Sequence, residues 1–390
     1  MLNLEATRSY LQQHGLDGWL LYDFDQINPI FWEAMGSRVH VTRPCWLFVP
    51  PDGQPILLVH RVDVGHFAGI PLDVRPYLGR IDMQRKLADL LQIGHKVAME
   101  YSPLANLPAV SRVDGGTLDL VKSFGVEVVS SASLIQSAIA RLNSAQTEAH
   151  RRAATKLTAI VHEAFEFIGQ HVAAGIAEHD VCDFIRERFL EEKLFTDSGP
   201  IVAANEHSGD PHYEPPPKGS REIRPGEWIL IDLWARDADE QGIFADITWV
   251  GYLGDPVPDE HRRVFDTVIR ARDIAFDFVD EAWQRCEVLE GWQVDEKARD
   301  FIAAAGYARY FTHRLGHNLG HIVHGYGVNL DNFETKDHRP IVPGIAFTIE
   351  PGIYLPEFGV RSEMNVYLGE SGPEITTPPQ RDIVLIEGRI

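Results

Sequence analysis

Two apolar runs, each with a carboxylate at its centre, constrain this chain more than any other feature. Ile229-Leu-Ile-Asp232-Leu-Trp and Gly242-Ile-Phe-Ala-Asp246-Ile-Thr-Trp-Val250 both read as strands. The polar Asp237-Ala-Asp-Glu-Gln-Gly242 between them predicts an antiparallel hairpin. A buried carboxylate is costly unless it is paired or holds a metal, and no Arg or Lys lies inside either run. Two acids on neighbouring strands also repel, and a divalent cation removes both penalties. The alternative is an amphipathic hairpin whose acids face solvent.

Three later segments add further candidate ligands. Phe311-Thr-His313-Arg-Leu-Gly-His317-Asn-Leu-Gly-His321-Ile-Val-His324-Gly concentrates imidazoles, the commonest neutral metal ligands. Their helical spacing would align them on one face, whereas Gly316, Gly320 and Gly325 leave strand and loop equally open. Ala346-Phe-Thr-Ile-Glu350-Pro-Gly-Ile-Tyr354 again sets an acid in an apolar run, with Pro351-Gly352 ending it. In Gly359-Val-Arg361-Ser-Glu363-Met-Asn-Val-Tyr367, period 2 puts Arg361 and Glu363 on one face, whose simplest reading is a surface salt-bridged strand. Asp232, Asp246, His317, Glu350 and Glu363, each expected on a strand, make an oxygen-rich set with one imidazole. Such a set suits two hard or borderline ions, Mn²⁺, Co²⁺ or Zn²⁺, rather than a closed structural zinc site.

The rest of the sequence removes competing classes. Of 390 residues, 36 are Lys or Arg and 57 Asp or Glu, a net charge of −21 without a basic block, so nucleic acid and anionic membrane surfaces are repelled. Cys45, Cys182 and Cys286 are far apart and form no CxxC pair, which predicts small buried hydrophobes in a reducing compartment. The N-terminus lacks a basic region followed by an apolar one, and no apolar run reaches a membrane span; the expectation is a soluble, cytoplasmic protein. No GxxxxGK[ST], GxGxxG after a strand, HExxH or GxSxG occurs.

Up to about Leu142, strand-like runs (Gly18–Tyr22, Cys45–Val49, Pro55–Val59, His95–Glu100, Val126–Val129) alternate with helical patterns near Ile81–Leu91 and Gly116–Phe124, an α/β layer. A break follows at Asn143-Ser144, where Ser144 is the expected cap of a long helix. Ile176–Lys193, Asp259–Leu289 and Val294–Ala305 read as further helices. Two domains, 1–142 and 143–390, are expected.

In their order, GHxxGxxxH at Gly316–His324, TIEPGIY at Thr348–Tyr354 and GVRxE at Gly359–Glu363 resemble the pita-bread metallopeptidases: prolidase, aminopeptidase P, methionine aminopeptidase and the metal-free creatinases. The resemblance spans essentially the whole chain. It implies an α/β creatinase-like N-terminal domain and an α+β pita-bread catalytic domain. It also implies that Asp232 binds a first metal, that Asp246 and Glu363 bridge two, and that His317 and Glu350 complete the second. Glu350 would shuttle a proton, and His324 would stabilise the oxyanion. His212 would lie on the substrate side, His313 near the proline or leaving group, and Arg361 would hold a neighbouring carboxylate. The N-terminal domain argues against methionine aminopeptidase.

The expected activity is therefore hydrolysis of the bond before proline in a dipeptide, with two Mn²⁺ (or Zn²⁺ or Co²⁺) in a homodimer. The alternatives are Xaa-Pro aminopeptidase acting on longer peptides, and a metal-free creatinase-like hydrolase or binding module. Arg339 is the candidate receptor for a dipeptide's carboxylate, its alternative being a structural arginine. Several positions depart from the family pattern: a wider Asp232–Asp246 spacing, Phe244 for a tyrosine, Trp249 for an arginine, His321 for an apolar residue and Gly325 for an acid.

Overall fold

The computed structural model of the chain describes residues 2–92 and 94–388. They divide into two compact units, Met1–Arg141 and Leu142–Ile390.

In the first unit, helix α1 (Leu4–Gln13) precedes β1 (Gly18–Asp23), α2 (Pro29–Met35), β2 (Cys45–Val49), β3 (Ile56–His60) and β4 (Asp73–Tyr77). There follow α3 (Arg80–Leu90), β5 (Lys96–Met99), α4 (Gly115–Ser123), β6 (Glu127–Ser130) and α5 (Ala132–Ile135). The sheet order is β4-β3-β2-β1-β5-β6. Its β1–β2 and β2–β3 pairs are antiparallel, and its outer pairs are parallel. Leu20, Trp46, Leu58, Leu87, Val97 and Val121 lie in its core. Burial of these strands accounts for the short, dense apolar runs that mark them in the sequence.

The second unit opens on α6 (Ser144–His171). Asn143, not Ser144, is its cap: the Asn143 side chain accepts from the Gln146 N–H at 2.9 Å, and Gln146 reaches back to the Asn143 N–H at 2.9 Å. An amide at the cap with Gln three residues on satisfies two orphan donors at once, which a lone serine does not. Next come β7 (Ile176–Ala177), α7 (Glu178–Glu191), β8 (Leu194–Phe195), β9 (Ile201–Ala204) and β10 (Glu222–Ile223). The expected helix start at Ile176 is instead a short strand paired with β10. Strands β11 (Trp228–Asp237) and β12 (Ala245–Tyr252) form the expected hairpin; helices α8 (Asp259–Gln284) and α9 (Gly291–Ala304) follow. The chain ends in β13 (Asn318–Leu319), β14 (Ile345–Ile349), β15 (Gly352–Tyr354), β16 (Gly359–Arg361), β17 (Met364–Gly369), β18 (Gly372–Ile375) and β19 (Val384–Leu385).

Two sheets matter for function. One runs β19-β12-β11-β8 with β9 also on β11; the other runs β13-β14-β17-β18. The pleat of β11 and β12 divides their residues cleanly. Ile229, Ile231, Leu233 and Ala235, with Ala245, Ile247 and Trp249, pack with Leu157, Ile160 and Val161 of α6 and Ile185 of α7. The opposite face carries Leu230, Asp232 and Trp234 against Val250, Thr248 and Asp246, in register. Leu230 and Val250 join the second core, with Val264 and Val268 of α8 and Phe347 of β14. The acids therefore sit on the face turned away from α6 and α7. Cys45 and Cys182 are buried as expected, but Cys286, just past α8, is exposed. Among the described residues no helix is long and apolar enough to cross a membrane.

Candidate metal centre

Donor atoms of Asp246, His317 and Glu363 lie within 4.8 Å of one another, all three residues buried. Asp232 is drawn in beside them by Arg361, whose Nη2 pairs with its Oδ2. His317 Nε2 stands 3.3 Å from Glu350 Oε1 and 3.6 Å from Asp246 Oδ2. The His317 Nδ1–H is directed at the Asn318 carbonyl, 3.3 Å away, which leaves the Nε2 lone pair facing the acids. Gly316 makes this approach possible, since a Cβ there would lie 2.0 Å from the Thr348 carbonyl oxygen.

Four carboxylates share one arginine in this space, and their proton affinities show the strain. Burial first, then Asp232 and Glu350, holds Asp246 well above the usual carboxylate range. Glu363 is raised likewise by burial, Asp246, Glu350 and Asp232. Burial pushes Glu350 up to about 7 and raises Asp232, against the opposing pull of Arg361. Asp232 Oδ1, Asp246 Oδ1 and Glu363 Oε1 are buried with no hydrogen-bond partner among the described residues. Such oxygens are rare in native folds unless an ion takes them. The donor set thus fits a divalent cation, and the solvated-hairpin and surface-strand alternatives are excluded by the burial of Asp232, Asp246, Arg361 and Glu363.

Around this group lies a second set. Arg361 Nη1 donates to the Tyr354 oxygen at 3.0 Å, and the Tyr354 hydroxyl lies 2.7 Å from His313 Nε2. Burial pushes the Tyr354 hydroxyl up to about 12 and His313 down to about 3, so both are neutral near pH 7. The His324 ring stands at 88° to that of His317, centroids 4.3 Å apart. His324 is at the surface; desolvation of its inner side, then Arg314, lowers its pKa. His212 is exposed and stands close enough to interact electrostatically with Asp232 and His324.

The model of metallopeptidase family M24 matches residues 148–370, more than half of the chain. The chain belongs to family M24. The probable dipeptidase PepE of Mycobacterium bovis is 30% identical over 345 residues, covering 87% of this chain and 84% of that protein. Crystal structures of dipeptidase PepE from Mycobacterium ulcerans (TM-score 0.78, 24% identity, 98% and 96% of the two chains) and of prolidase from Thermococcus sibiricus (TM-score 0.71, 22%, 98% and 98%) share the fold. That fold is an N-terminal domain ahead of an M24 pita-bread domain of mixed α and β structure.

Within the M24 unit some sequence expectations need correction. His317, Glu350 and Glu363 are not inside strands: they lie at the edge of β13, just past β14 and between β16 and β17. Those sites leave their side chains free of the pleat, so they turn inward regardless of its alternation. Nor is the His313–His324 segment helical; Gly325 N–H bonds the Asn318 carbonyl at 2.7 Å and closes it into turns. Arg339 is buried and fully engaged, its Nε and Nη2 on Asp337 at 2.9 and 2.6 Å and its Nη1 on the Tyr326 carbonyl at 2.7 Å. That geometry makes it a structural residue and leaves it no free fork for a substrate carboxylate.

The residues that depart from the family pattern have structural partners. Trp249 packs on the helix-facing side, its ring 4.6 Å from that of His162. His321 Nδ1–H bonds the Gly242 carbonyl at 2.9 Å while its Nε2 accepts from Gln146, so it pins the hairpin turn to α6. Phe244 is buried with Leu319 and Ala346.

Three residues carry no sequence signal of their own. Thr248 Oγ1 donates to Glu363 at 2.9 Å and accepts from Arg361 Nε at 2.9 Å. Thr348 Oγ1 bonds the His317 N–H at 3.0 Å and Glu350 at 3.2 Å. Asn365 bonds the Asp246 backbone. Each lies two residues from a ligand candidate, a period-2 relation that could have flagged them.

Proposed function

We propose that the chain is a dinuclear metal-dependent Xaa-Pro dipeptidase, with Asp232, Asp246, His317, Glu350 and Glu363 as ligands. Three buried carboxylate oxygens without hydrogen-bond partners among the described residues, converging with an imidazole lone pair, are the observation that carries the metal assignment. Four carboxylates and one imidazole favour Mn²⁺, with Zn²⁺ or Co²⁺ as substitutes. Bound there, divalent cations would polarise the scissile carbonyl and lower the pKa of a water molecule.

The chain's own groups complete the chemistry. Glu350 receives the proton of the attacking water and returns it to the leaving amine. A neutral His324 donates its ring N–H to the carbonyl oxygen as charge builds. His313, held by Tyr354, faces the proline half, and His212 stands on the loop that Arg361 holds through the Pro211 carbonyl at 3.4 Å. With Arg339 engaged, the half-buried Arg314 is the cation for a dipeptide's carboxylate: its charge is felt at His313, His317, His324 and Glu350, and only Glu334, 3.2 Å away, pairs with it among the described residues. The name of the Mycobacterium bovis relative supports a dipeptidase over an aminopeptidase. The reading includes a cytoplasmic homodimer, which sedimentation at working concentrations tests.

Mn²⁺-dependent hydrolysis of Ala-Pro beside Ala-Pro-Ala is the deciding experiment. Cleavage of the dipeptide alone is expected. Preference for the tripeptide transfers the assignment to aminopeptidase P. A protein that retains no metal and cleaves neither is a creatinase-like hydrolase or binding module instead.

A further inference from the structure

Trp234 shares a pleat face with both strand acids. On β11 it lies two residues beyond Asp232, so the two side chains leave the same side about 6.7 Å apart. Across the ladder it pairs directly with Asp246, which sets the Cβ atoms about 5 Å apart. Asp246 is itself one of the buried group with His317 and Glu363. A ring at this position borders the centre at the level of Asp246.

The ring is fixed on two sides and open on a third. It packs against the buried cluster of Phe244, Leu319 and Ala346. Its six-membered edge lies over Gly199, where a Cβ would come 2.5 Å from Cη2; Gly199 also has φ +70°, so no side chain fits there. Yet Trp234 is only half-buried, while Leu233 and Ala235 beside it are fully buried. Its indole N–H has no hydrogen-bond partner among the described residues.

Position along the strand selects the side of the scissile bond. Arg361, which carries Tyr354 and through it His313, attaches at the level of Asp232 and Thr248, one pleat back from Trp234. Asp197, two residues before Gly199, acts electrostatically on His324. With the proline half on the His313 side, Trp234 faces the half that carries the free amino group.

We propose that Trp234 is a specificity-determining residue: its ring fills the space that the side chain of the residue before the scissile bond would enter, restricting that residue to Gly, Ala or Ser. This rests on the peptidase reading above and names its substrate class.

The test is a panel of Gly-Pro, Ala-Pro, Leu-Pro and Phe-Pro, with Gly-Leu and Phe-Leu alongside, on the metal-loaded full chain, Trp234→Ala and Trp234→Phe. In the wild type kcat/KM is expected to favour Gly over Phe by about tenfold or more, the scale of one or more misplaced methylenes. Trp234→Ala should narrow that ratio by about tenfold, and Trp234→Phe, which keeps a ring over Gly199, by less, with bound metal per chain unchanged in both. A flat size profile in the wild type overturns the proposal without any variant, and so does an unchanged ratio in a folded, metal-loaded variant. Cleavage of the Xaa-Leu pair alone ends the proline reading, but its Gly/Phe ratio still decides the wall. Absence of all cleavage overturns the wall together with the peptidase reading beneath it.

Discussion

Asn365 and Asp246 exchange two hydrogen bonds across the sheets: the Asp246 N–H donates to Asn365 Oδ1 at 2.9 Å, and Asn365 Nδ2 donates to the Asp246 carbonyl at 2.5 Å. One residue of β17 thereby fixes the backbone of a ligand candidate on β12, and both ends are buried. The side-chain amide thereby bridges a strand of one sheet to a strand of the other.

Replacing Asn365 with Leu leaves a buried N–H and a buried carbonyl unpaired, each worth about 1–3 kcal/mol. Stability should fall by a few kcal/mol, and metal affinity by about tenfold to a hundredfold, because the Asp246 carboxylate loses its registration. Metal titration of the purified variant followed by chemical denaturation reads both. Wild-type affinity in Asn365→Leu would show that Asp246 is placed by its own strand alone.

Arg314 yields a second expectation. If it receives the free carboxylate, Arg314→Ala should raise KM for Ala-Pro by about tenfold or more, while hydrolysis of Ala-Pro-amide, which lacks that charge, changes little. The comparison within one variant cancels any general damage to the centre. Equal losses on both peptides would reduce Arg314 to a partner of Glu334.

His150 predicts the acid limb of stability in the M24 unit. It is fully buried, with Nδ1 on the Phe244 carbonyl and Nε2 on Thr376 Oγ1, each at 2.8 Å. Burial drives its pKa down to about 4 from 6.5. The unfolded chain then binds more protons between those values, so stability present above pH 6.5 is lost as pH falls toward 4 and no further below it. The full effect is about 3 kcal/mol. Urea denaturation at pH 7.5 and 4.5 should therefore show a smaller difference in His150→Gln than in the wild type; an identical difference would mean that His150 charges without penalty.

What is legible in the sequence, and what is not, divides by the range of the forces involved. Asp232 and Asp246 are readable because alternation is local: each residue's neighbours along the strand announce its face. The inward turn of Glu350 and Glu363 is not, because both lie where strands stop and only contacts from distant segments orient them. Thr248 meets Glu363 across 115 positions, and Arg361 meets Asp232 across 129. Arg339 misleads for the same reason: its partner Asp337 is close by in sequence, but nothing local says whether an arginine fork faces a neighbour or a cleft. The His313–His324 run leaves both readings open, and only the turn closed by Gly325 and Asn318 decides between them.

Glu178 governs the loop that bears His212. It is fully buried at the start of α7, yet it accepts from the Ala204 N–H at 2.7 Å, from His207 Nδ1 at 2.9 Å and from the Tyr213 hydroxyl at 2.6 Å. His207 and Tyr213 stand on either side of His212, and their rings stack with centroids 4.1 Å apart. A single carboxylate therefore ties both arms of the loop, and Arg361 steadies its tip through the Pro211 carbonyl at 3.4 Å. Tyr213→Phe removes one tie while keeping the stacked ring and every ligand candidate. Metal content should stay at the wild-type level, stability should fall by about 1 kcal/mol, and KM should rise severalfold because His212 no longer holds one position over the substrate. Removing the carboxylate with Glu178→Ala should enlarge the KM effect, and Glu178→Gln, which retains two of the three acceptor contacts at best, should fall between them. If KM stays constant across the three while stability declines in the same order, Glu178 supports the fold and leaves His212 untouched.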